Sequence, residues 1–108
     1  MINLFSGNNT IEVLLEGLKN GTTNEYINDA TVTVVIYESD GATEVTGQSW
    51  PVTMGYVTSS NGNYRGIVSA DSNIVTGGKY VIKVNAIDTN YNEGEWIENA
   101  YAHLRKIT

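Results

Sequence analysis

Two adjacent glycines, Gly77 and Gly78, open into the clearest strand pattern of the sequence, between residues 74 and 87. Side chains of an extended strand point alternately to its two faces. Here the alternation separates an apolar set from a set that carries a charge and an amide. The apolar set is Tyr80, Ile82, Val84 and Ala86, and the wetter set is Val81, Lys83, Asn85 and Ile87. The pattern predicts a half-buried strand, for which the rest of the chain must supply partners.

Five further segments have strand patterns, at residues 10–18, 31–38, 45–54, 63–69 and 96–105. In the first, Ile11, Val13 and Leu15 are predicted inward, and Glu12 and Glu16 outward. The second is rich in β-branched residues on both faces, which favours a central strand. In the third, Pro51 cannot donate a ladder hydrogen bond, so we expect an edge strand or a bulge there. Residues 55–58 either continue that strand or form a short one.

Turn signals separate these segments, and the clearest are Asn20-Gly21 and Ser39-Asp40-Gly41. Helical spacing occurs only at residues 97–105, through Ile97, Ala100, Tyr101 and Leu104. A C-terminal helix therefore stays open as an alternative to the last strand. The segments together predict one domain over residues 1–108, with room for extended N- and C-terminal segments. Its predicted fold is all-β, an immunoglobulin-like antiparallel β-sandwich of six or seven strands.

Tyr80 carries the most specific fold signal. In immunoglobulin-like sandwiches, a tyrosine near the start of the penultimate strand can hydrogen-bond back to the corner that precedes it. The segment from Ile74 through Gly78 and Lys79 has the form of such a corner. An ordinary inward tyrosine with a partly hydrated hydroxyl is the alternative.

Composition excludes several classes of function. The 108 residues include 12 acidic and 6 basic side chains, for a net charge of −6. Nucleic-acid binding needs clustered basic residues, and only Arg105 and Lys106 are adjacent, so we expect no direct nucleic-acid partner. No stretch approaches the ~18 apolar residues of a spanning helix, so no membrane partner is expected. The sequence contains no cysteine, which leaves the redox compartment undetermined. Residues 1–9 do not resemble a signal peptide, so we expect a protein that is made and kept in a cytoplasm or exported by other means.

His103 is the only histidine. A general base or a metal site would need a carboxylate or a second ligand beside it, and no spacing in the sequence implies one. On the predicted final strand it shares a face with Tyr101 and Arg105, so we expect a solvated or lightly packed side chain. We predict that the protein is not an enzyme and has no catalytic, cofactor-binding or metal-binding residues.

Residues 88–92, Asp-Thr-Asn-Tyr-Asn, place oxygen-bearing side chains at alternate positions, as calcium loops do. The calcium-loop pattern requires glycine after the third ligand and an acid at position twelve. Glu93 and Asn99 occupy those two places. A polar hairpin loop is therefore the favoured interpretation.

Aromatic side chains suggest a second class of function, because flat rings stack on sugar rings. The candidates for a carbohydrate-binding face are Trp50, Tyr56, Tyr64, Tyr91, Trp96 and Tyr101. Core or interface positions are favoured for Trp50 and Trp96, since large aromatics usually anchor cores and interfaces. A carbohydrate-binding or adhesion module remains the alternative function.

Strand and turn residues along nearly the whole chain resemble those of small immunoglobulin-like virion proteins of tailed bacteriophages. The resemblance rests on Leu4-Phe5-Ser6-Gly7-Asn8-Asn9, Ile11-Glu12-Val13, Gly17-Leu18, Ala30-Thr31-Val32-Thr33, Trp50-Pro51-Val52, Asn63-Tyr64-Arg65-Gly66 and Gly78-Lys79-Tyr80. The family pattern carries no catalytic residues. The chain departs from it at residues 96–108, which are longer and more polar than a plain closing strand.

The resemblance implies a non-enzymatic virion structural protein, made in the cytoplasm of the bacterial host. Capsid decoration is the first expectation, with the major capsid protein as partner. A neck or tail adaptor that contacts portal, neck or tail proteins is the alternative. In either place we expect a homo-oligomer or many copies on a symmetric lattice. The polar end of the chain suggests an extended arm that adds to a neighbour's sheet.

Overall fold

A computed structural model of the chain describes residues 2–6, 11–89 and 93–104, and within these ranges the secondary structure consists of eight β-strands. The strands are β1 (Ile2–Ser6), β2 (Ile11–Leu15), β3 (Thr31–Tyr37), β4 (Val52–Tyr56), β5 (Tyr64–Val68), β6 (Lys79–Ile87), β7 (Glu93–Tyr101) and β8 (His103–Leu104). The predicted all-β class is confirmed, although the described strands outnumber the six or seven expected. β1 was not predicted, and the predicted last strand, residues 96–105, is divided among its described residues between β7 and the two-residue β8.

The strands follow the order β7-β6-β3-β4-β5-β2-β1-β8, and every neighbouring pair is antiparallel except β1 and β8. The sheet folds over at β4, whose residues 52–54 pair with β3 and whose residues 55–56 pair with β5. One layer therefore contains β1, β2 and β5, and the other contains β3, β6 and β7. These layers reproduce the two sheets of an immunoglobulin sandwich, in which the second and fifth strands are neighbours and the third and sixth are neighbours.

The core lies between the layers and is made by the alternate side chains that the sequence predicts. On β6 the apolar set from Tyr80 to Ala86 is buried, and the opposite set is half-buried or exposed. Each fully buried aliphatic side chain contributes about 1.5–3 kcal/mol. The buried side chains of the three central strands are Ile11, Val13, Leu15, Val32, Val34, Ile36, Tyr80, Ile82, Val84 and Ala86.

Glu12 does not lie in solvent, contrary to the prediction from alternation. Its side chain is 7% exposed, and the Arg65 Nε atom lies 2.9 Å from its Oε2 atom. The cross-strand neighbours of Glu12 are Phe5 on β1 and Ile67 on β5, both large. The residue points away from the core as predicted, but side chains of the adjacent strands cover it.

The predicted tyrosine corner is present at the start of β6. Val75 donates its backbone N–H to the Tyr80 hydroxyl at 2.9 Å, which closes the loop back onto the strand. Gly77 has a φ of +86°, in the left-handed region that favours glycine. At Gly78, an added Cβ atom would lie 2.7 Å from the Tyr80 hydroxyl oxygen. The glycine pair is therefore needed for two different reasons, backbone conformation at the first position and space at the second.

A second tyrosine ties the loop before β3 to the core. The Tyr64 hydroxyl donates to the Ile27 carbonyl at 2.8 Å and accepts from the Ala30 N–H at 3.1 Å. Burial raises the pKa of this hydroxyl above its usual value, because a phenolate would lose its hydration. The side chain satisfies two backbone groups that the loop would otherwise leave without partners.

Two predicted strand boundaries are shifted. Residues 45–51 are not part of a strand, since β4 begins at Val52 and extends to Tyr56, directly after Pro51. The Trp50 indole instead donates to the Val45 carbonyl at 2.8 Å. At the other end of the chain, β7 begins at Glu93, and the helical alternative for residues 97–105 is wrong for the described residues 97–104. Nine consecutive residue pairs join β7 to β6, and these ladder contacts outweigh the helical spacing.

Candidate functional site

In the described ranges, no group of three or more histidine or acidic side chains is placed to hold a metal ion. His103 lies exposed on β8 and is lightly packed, as the sequence predicts. Its ring meets Phe5 edge-on, with centroids 4.8 Å apart, and its Nδ1 atom is 3.2 Å from the Tyr101 carbonyl oxygen. That the protein is not an enzyme stays a prediction.

The calcium-loop candidate is described only in part, since Asn90, Tyr91 and Asn92 lie outside the described residues. Thr89 donates its hydroxyl to an Asp29 carboxylate oxygen at 3.2 Å. This contact links the end of β6 to the loop before β3. It is a contact between two polar loops.

The aromatic residues do not form a single face. Tyr64 is fully buried, while Trp50 and Tyr56 are partly buried against the core. Trp96 and Tyr101 are exposed but point to opposite faces of β7, because their positions differ by five, an odd number. Tyr91 lies outside the described residues.

The outer face of the layer formed by β3, β6 and β7 carries the largest exposed apolar side chains of β7. Ile97 is 65% exposed and Tyr101 is 63% exposed. A shallow depression of about 280 Å³ adjoins Ile97. We call this surface the outer β7 face, and its apolar and aromatic members are Val35, Tyr37, Val81, Ile97 and Tyr101.

The edge of β7 is the second notable feature. β7 is the terminal strand of the sheet order, and along residues 93–99 no described strand pairs with its outer side. The strand carries three glutamates, Glu93, Glu95 and Glu98. The Lys83 Nζ atom lies 3.6 Å from Glu95, and Asn85 donates to Glu93 at 2.7 Å. The edge is therefore both open and acidic.

A groove borders the same edge on the inner side of β7. Trp96 lies in it, 37% exposed, with its ring packed over Gly94, where an added Cβ would be 2.8 Å from the ring. On one side of Trp96 the groove has a volume of about 350 Å³ and continues to Lys19 and Asp88. On the other side, the groove has a volume of about 250 Å³ and lies between Trp96 and Glu98 on one wall and Leu15, the last residue of β2, with residues 16–19 on the other.

Asp40 has the most perturbed carboxyl among the described residues, but it belongs to a turn. The Thr43 hydroxyl and the backbone N–H groups of Ala42 and Thr43 donate to its carboxylate. Led by the Thr43 hydroxyl, these hydrogen bonds lower its pKa from 3.8 to about 2. These hydrogen bonds stabilise the turn that follows β3, so the lowered pKa of Asp40 has a structural cause.

Sequence reasoning did not find the open edge of β7, although it placed a strand there. Whether a strand is central or terminal depends on the order of strands in the sheet, which no local pattern encodes. The three glutamates were the available signal, since charged residues commonly occupy sheet edges.

Comparison of the chain with protein-family models, with curated protein sequences and with solved structures gave no match in any of the three. No helix in the described part of the chain is long and apolar enough to cross a membrane. Within residues 2–6, 11–89 and 93–104, the fold and the surface define an immunoglobulin-like β-sandwich whose sheet edge at β7 is open and acidic.

Proposed function

We propose that the protein is a non-enzymatic structural protein of tailed-bacteriophage particles, and that it decorates the capsid. The observation that carries the proposal is the outer β7 face, where Ile97 and Tyr101 are more than half exposed. Clustered apolar side chains on the surface of a soluble domain commonly mark contact surfaces for other proteins. The resemblance of the sequence to small virion proteins supplies the kind of partner.

A capsid lattice suits a contact surface that consists of only a few exposed apolar side chains. A few exposed apolar side chains give only weak attachment by themselves. When many copies bind a symmetric shell, or bind one another on it, the effective concentration at each site rises and attachment becomes durable. The major capsid protein is the proposed partner. A neck or tail adaptor is the alternative position and would use the same face against portal, neck or tail proteins.

Purified particles provide the test. We expect the protein to co-purify with intact particles in a number close to that of the major capsid protein. A single small ring of copies would favour the neck or tail, and absence from particles would defeat the proposal.

The contact surface is tested by replacing exposed residues on the outer β7 face and, as a control, an exposed residue on the layer that contains β5. The Ile97→Ser, Tyr101→Ser double variant should lower the number of bound copies, because it removes the apolar contact. Ile67→Ser is the matched control, since Ile67 is 47% exposed on the opposite layer. The double variant should alter the free energy of unfolding by about 0.5 kcal/mol or less per site. Ile67→Ser also uncovers Glu12, so its free energy of unfolding is measured before its binding is compared. Equal loss of binding in the two variants would show that the outer β7 face is not the contact surface.

A second candidate function, carbohydrate binding, is favoured by the groove at Trp96. A half-exposed indole beside polar side chains such as Asn20 and Asp88 is a suitable arrangement for stacking on a sugar ring and hydrogen-bonding its hydroxyls. Glycan arrays and bacterial surface polysaccharide are the probes, with Trp96→Ala as the variant and exposed Tyr26→Ala as the control. Binding that Trp96→Ala alone abolishes would support this function, and absence of binding to both probes would exclude it.

A further inference from the structure

The backbone groups along the open edge of β7 can be assigned from the pairing with β6. Just beyond the nine-residue ladder, Ala102 donates its N–H to the Gly78 carbonyl at 2.9 Å and accepts from the Gly77 N–H at 2.7 Å. Both backbone groups of Ala102 therefore point towards β6. The register between β6 and β7 is unbroken from Lys79–Tyr101 to Ile87–Glu93. The direction of the backbone groups alternates along such a ladder, so even-numbered residues of β7 bond to β6 and odd-numbered residues point away.

The odd-numbered residues of β7 therefore present backbone donors and acceptors to the open side. They are Glu93, Glu95, Ile97, Asn99 and Tyr101, of which the first four lie on the open part of the edge. The odd-numbered residue after Tyr101 is His103, which pairs with Phe5 of β1 on that same side and so agrees with the assignment. From Glu93 to Asn99 the open edge extends about 20 Å, enough for an added strand of about seven residues.

The charge of the edge selects among the strands that could add to it. Glu93 and Glu95 lie on the outer face, where the Lys83 ammonium group is 3.6 Å from Glu95. Glu98 lies on the inner side, in the groove that Lys19 also lines. A second copy of β7 would bring three more glutamates against these three, and like charges across paired strands are destabilising. A basic segment would instead gain from opposite charges at the same positions. The edge is therefore unsuited to self-pairing and suited to a basic partner.

The side chains of an added strand would enter two different environments. Alternate side chains would lie beside Glu95 and Ile97 on the outer face, and the others would point into the groove beside Trp96 and Glu98. The groove offers an indole ring and the apolar Leu15 and Leu18, which favour an apolar side chain. An alternation of basic and apolar residues satisfies both environments.

From these observations we infer that β7 binds an extended, basic protein segment with alternating apolar residues, which adds as a strand along Glu93–Asn99. The binding surface is the edge of β7 and its inner groove. It adjoins the outer β7 face on which the proposed function rests and shares Ile97 with it. Main-chain hydrogen bonds would supply affinity, and the glutamates with Trp96 would supply selectivity.

The probe is a nine-residue peptide that alternates lysine and valine, observed through the backbone amide signals of the isotope-labelled protein. We expect chemical-shift changes concentrated on β7, and slower hydrogen exchange at the outward amides of Glu95, Ile97 and Asn99. Two comparison peptides separate the causes: one alternates glutamate and valine, and one has the lysines and valines of the probe in blocks. If the peptide with lysines and valines in blocks binds as tightly as the alternating probe, the binding is non-specific attraction to an acidic protein and the inference is overturned.

Two matched pairs of variants test the hydrogen bonds and the charges. Asn99→Pro removes an outward N–H without breaking the ladder to β6, and Asn99→Ala keeps that N–H; the proline variant should bind the probe about fivefold more weakly than the alanine variant. The Glu95→Gln, Glu98→Gln double variant should weaken binding about fivefold, whereas Asp71→Asn, on an exposed residue in the connection after β5, should not.

Unchanged affinity in both the proline and the double variant would overturn the inference and leave the glutamates as a guard against edge-to-edge pairing. The outcome is separable from the proposed function. If Asn99→Pro binds particles normally but does not bind the probe, the proposed function and the inference are both supported, and each depends on a different surface. If the protein binds the probe but is absent from particles, only the proposed function fails.

Discussion

Replacing Gly78 by valine tests the corner that starts β6. The new Cβ atom would be built 2.7 Å from the Tyr80 hydroxyl oxygen and 2.9 Å from a ring carbon. Both distances are far below ordinary contact, so the Tyr80 ring must move. Movement breaks the hydrogen bond from Val75, worth about 0.5–1.5 kcal/mol, and overpacks the core, which costs about 1–3 kcal/mol. We expect the free energy of unfolding to fall by about 2–4 kcal/mol.

Urea unfolding measures this change, with Gly21→Val as the control, because an added Cβ at Gly21 has no neighbour within 4 Å. Part of the loss should depend on the tyrosine hydroxyl, since the ring carbons at 2.9 and 3.0 Å are present in either background. In a Tyr80→Phe background, where the closest atom is gone, Gly78→Val should therefore cost less than in the natural chain. Full stability of Gly78→Val, or an identical cost in both backgrounds, would refute the steric account of the corner.

Three further predictions concern buried polar contacts and one turn. Tyr64→Phe removes the partner of the Ile27 carbonyl and the Ala30 N–H and should lower the free energy of unfolding by about 1–3 kcal/mol in urea, while exposed Tyr26→Phe should leave it unchanged. Arg65→Met removes the ion pair to buried Glu12 but keeps an unbranched apolar stem like that of arginine; a loss of about 1–2 kcal/mol is expected, and an equal loss in a Glu12→Gln background would contradict it. For Asp40, whose pKa is lower in the folded protein than the usual 3.8, the contribution to stability is present above pH 3.8 and is lost as pH falls towards 2. In urea titrations, the difference in free energy of unfolding between the natural chain and Asp40→Asn should shrink as pH falls from 3.8 towards 2. A constant difference would show that the Asp40 carboxylate does not stabilise the turn.

Strand periodicity predicted the parts of the fold that local sequence controls. The alternation from Tyr80 to Ala86 placed one face of β6 in the core, and the structure has that face buried. The corner at Gly78 was also visible, since two glycines before an inward tyrosine leave few other arrangements. Periodicity succeeds where one face of a strand is buried and the other is wet.

Features that depend on strand order were not predictable in the same way. Glu12 alternates as an outward residue, and its burial arises from Phe5, Ile67 and Arg65 on neighbouring strands. Residues 97–104 fit both a helix and a strand, and pairing with β6 decides between them. The open edge of β7 has the same origin, because an edge is defined by the absence of a neighbour in the described sheet.

The central claim is that the protein is a structural component of a phage capsid, held by its exposed apolar face. The most direct measurement is the number of copies per major capsid protein in purified intact particles, for the natural chain and for the Ile97→Ser, Tyr101→Ser variant. We expect close to one copy per major capsid protein for the natural chain and clearly fewer copies for the variant. Particles that contain none of the protein would contradict it.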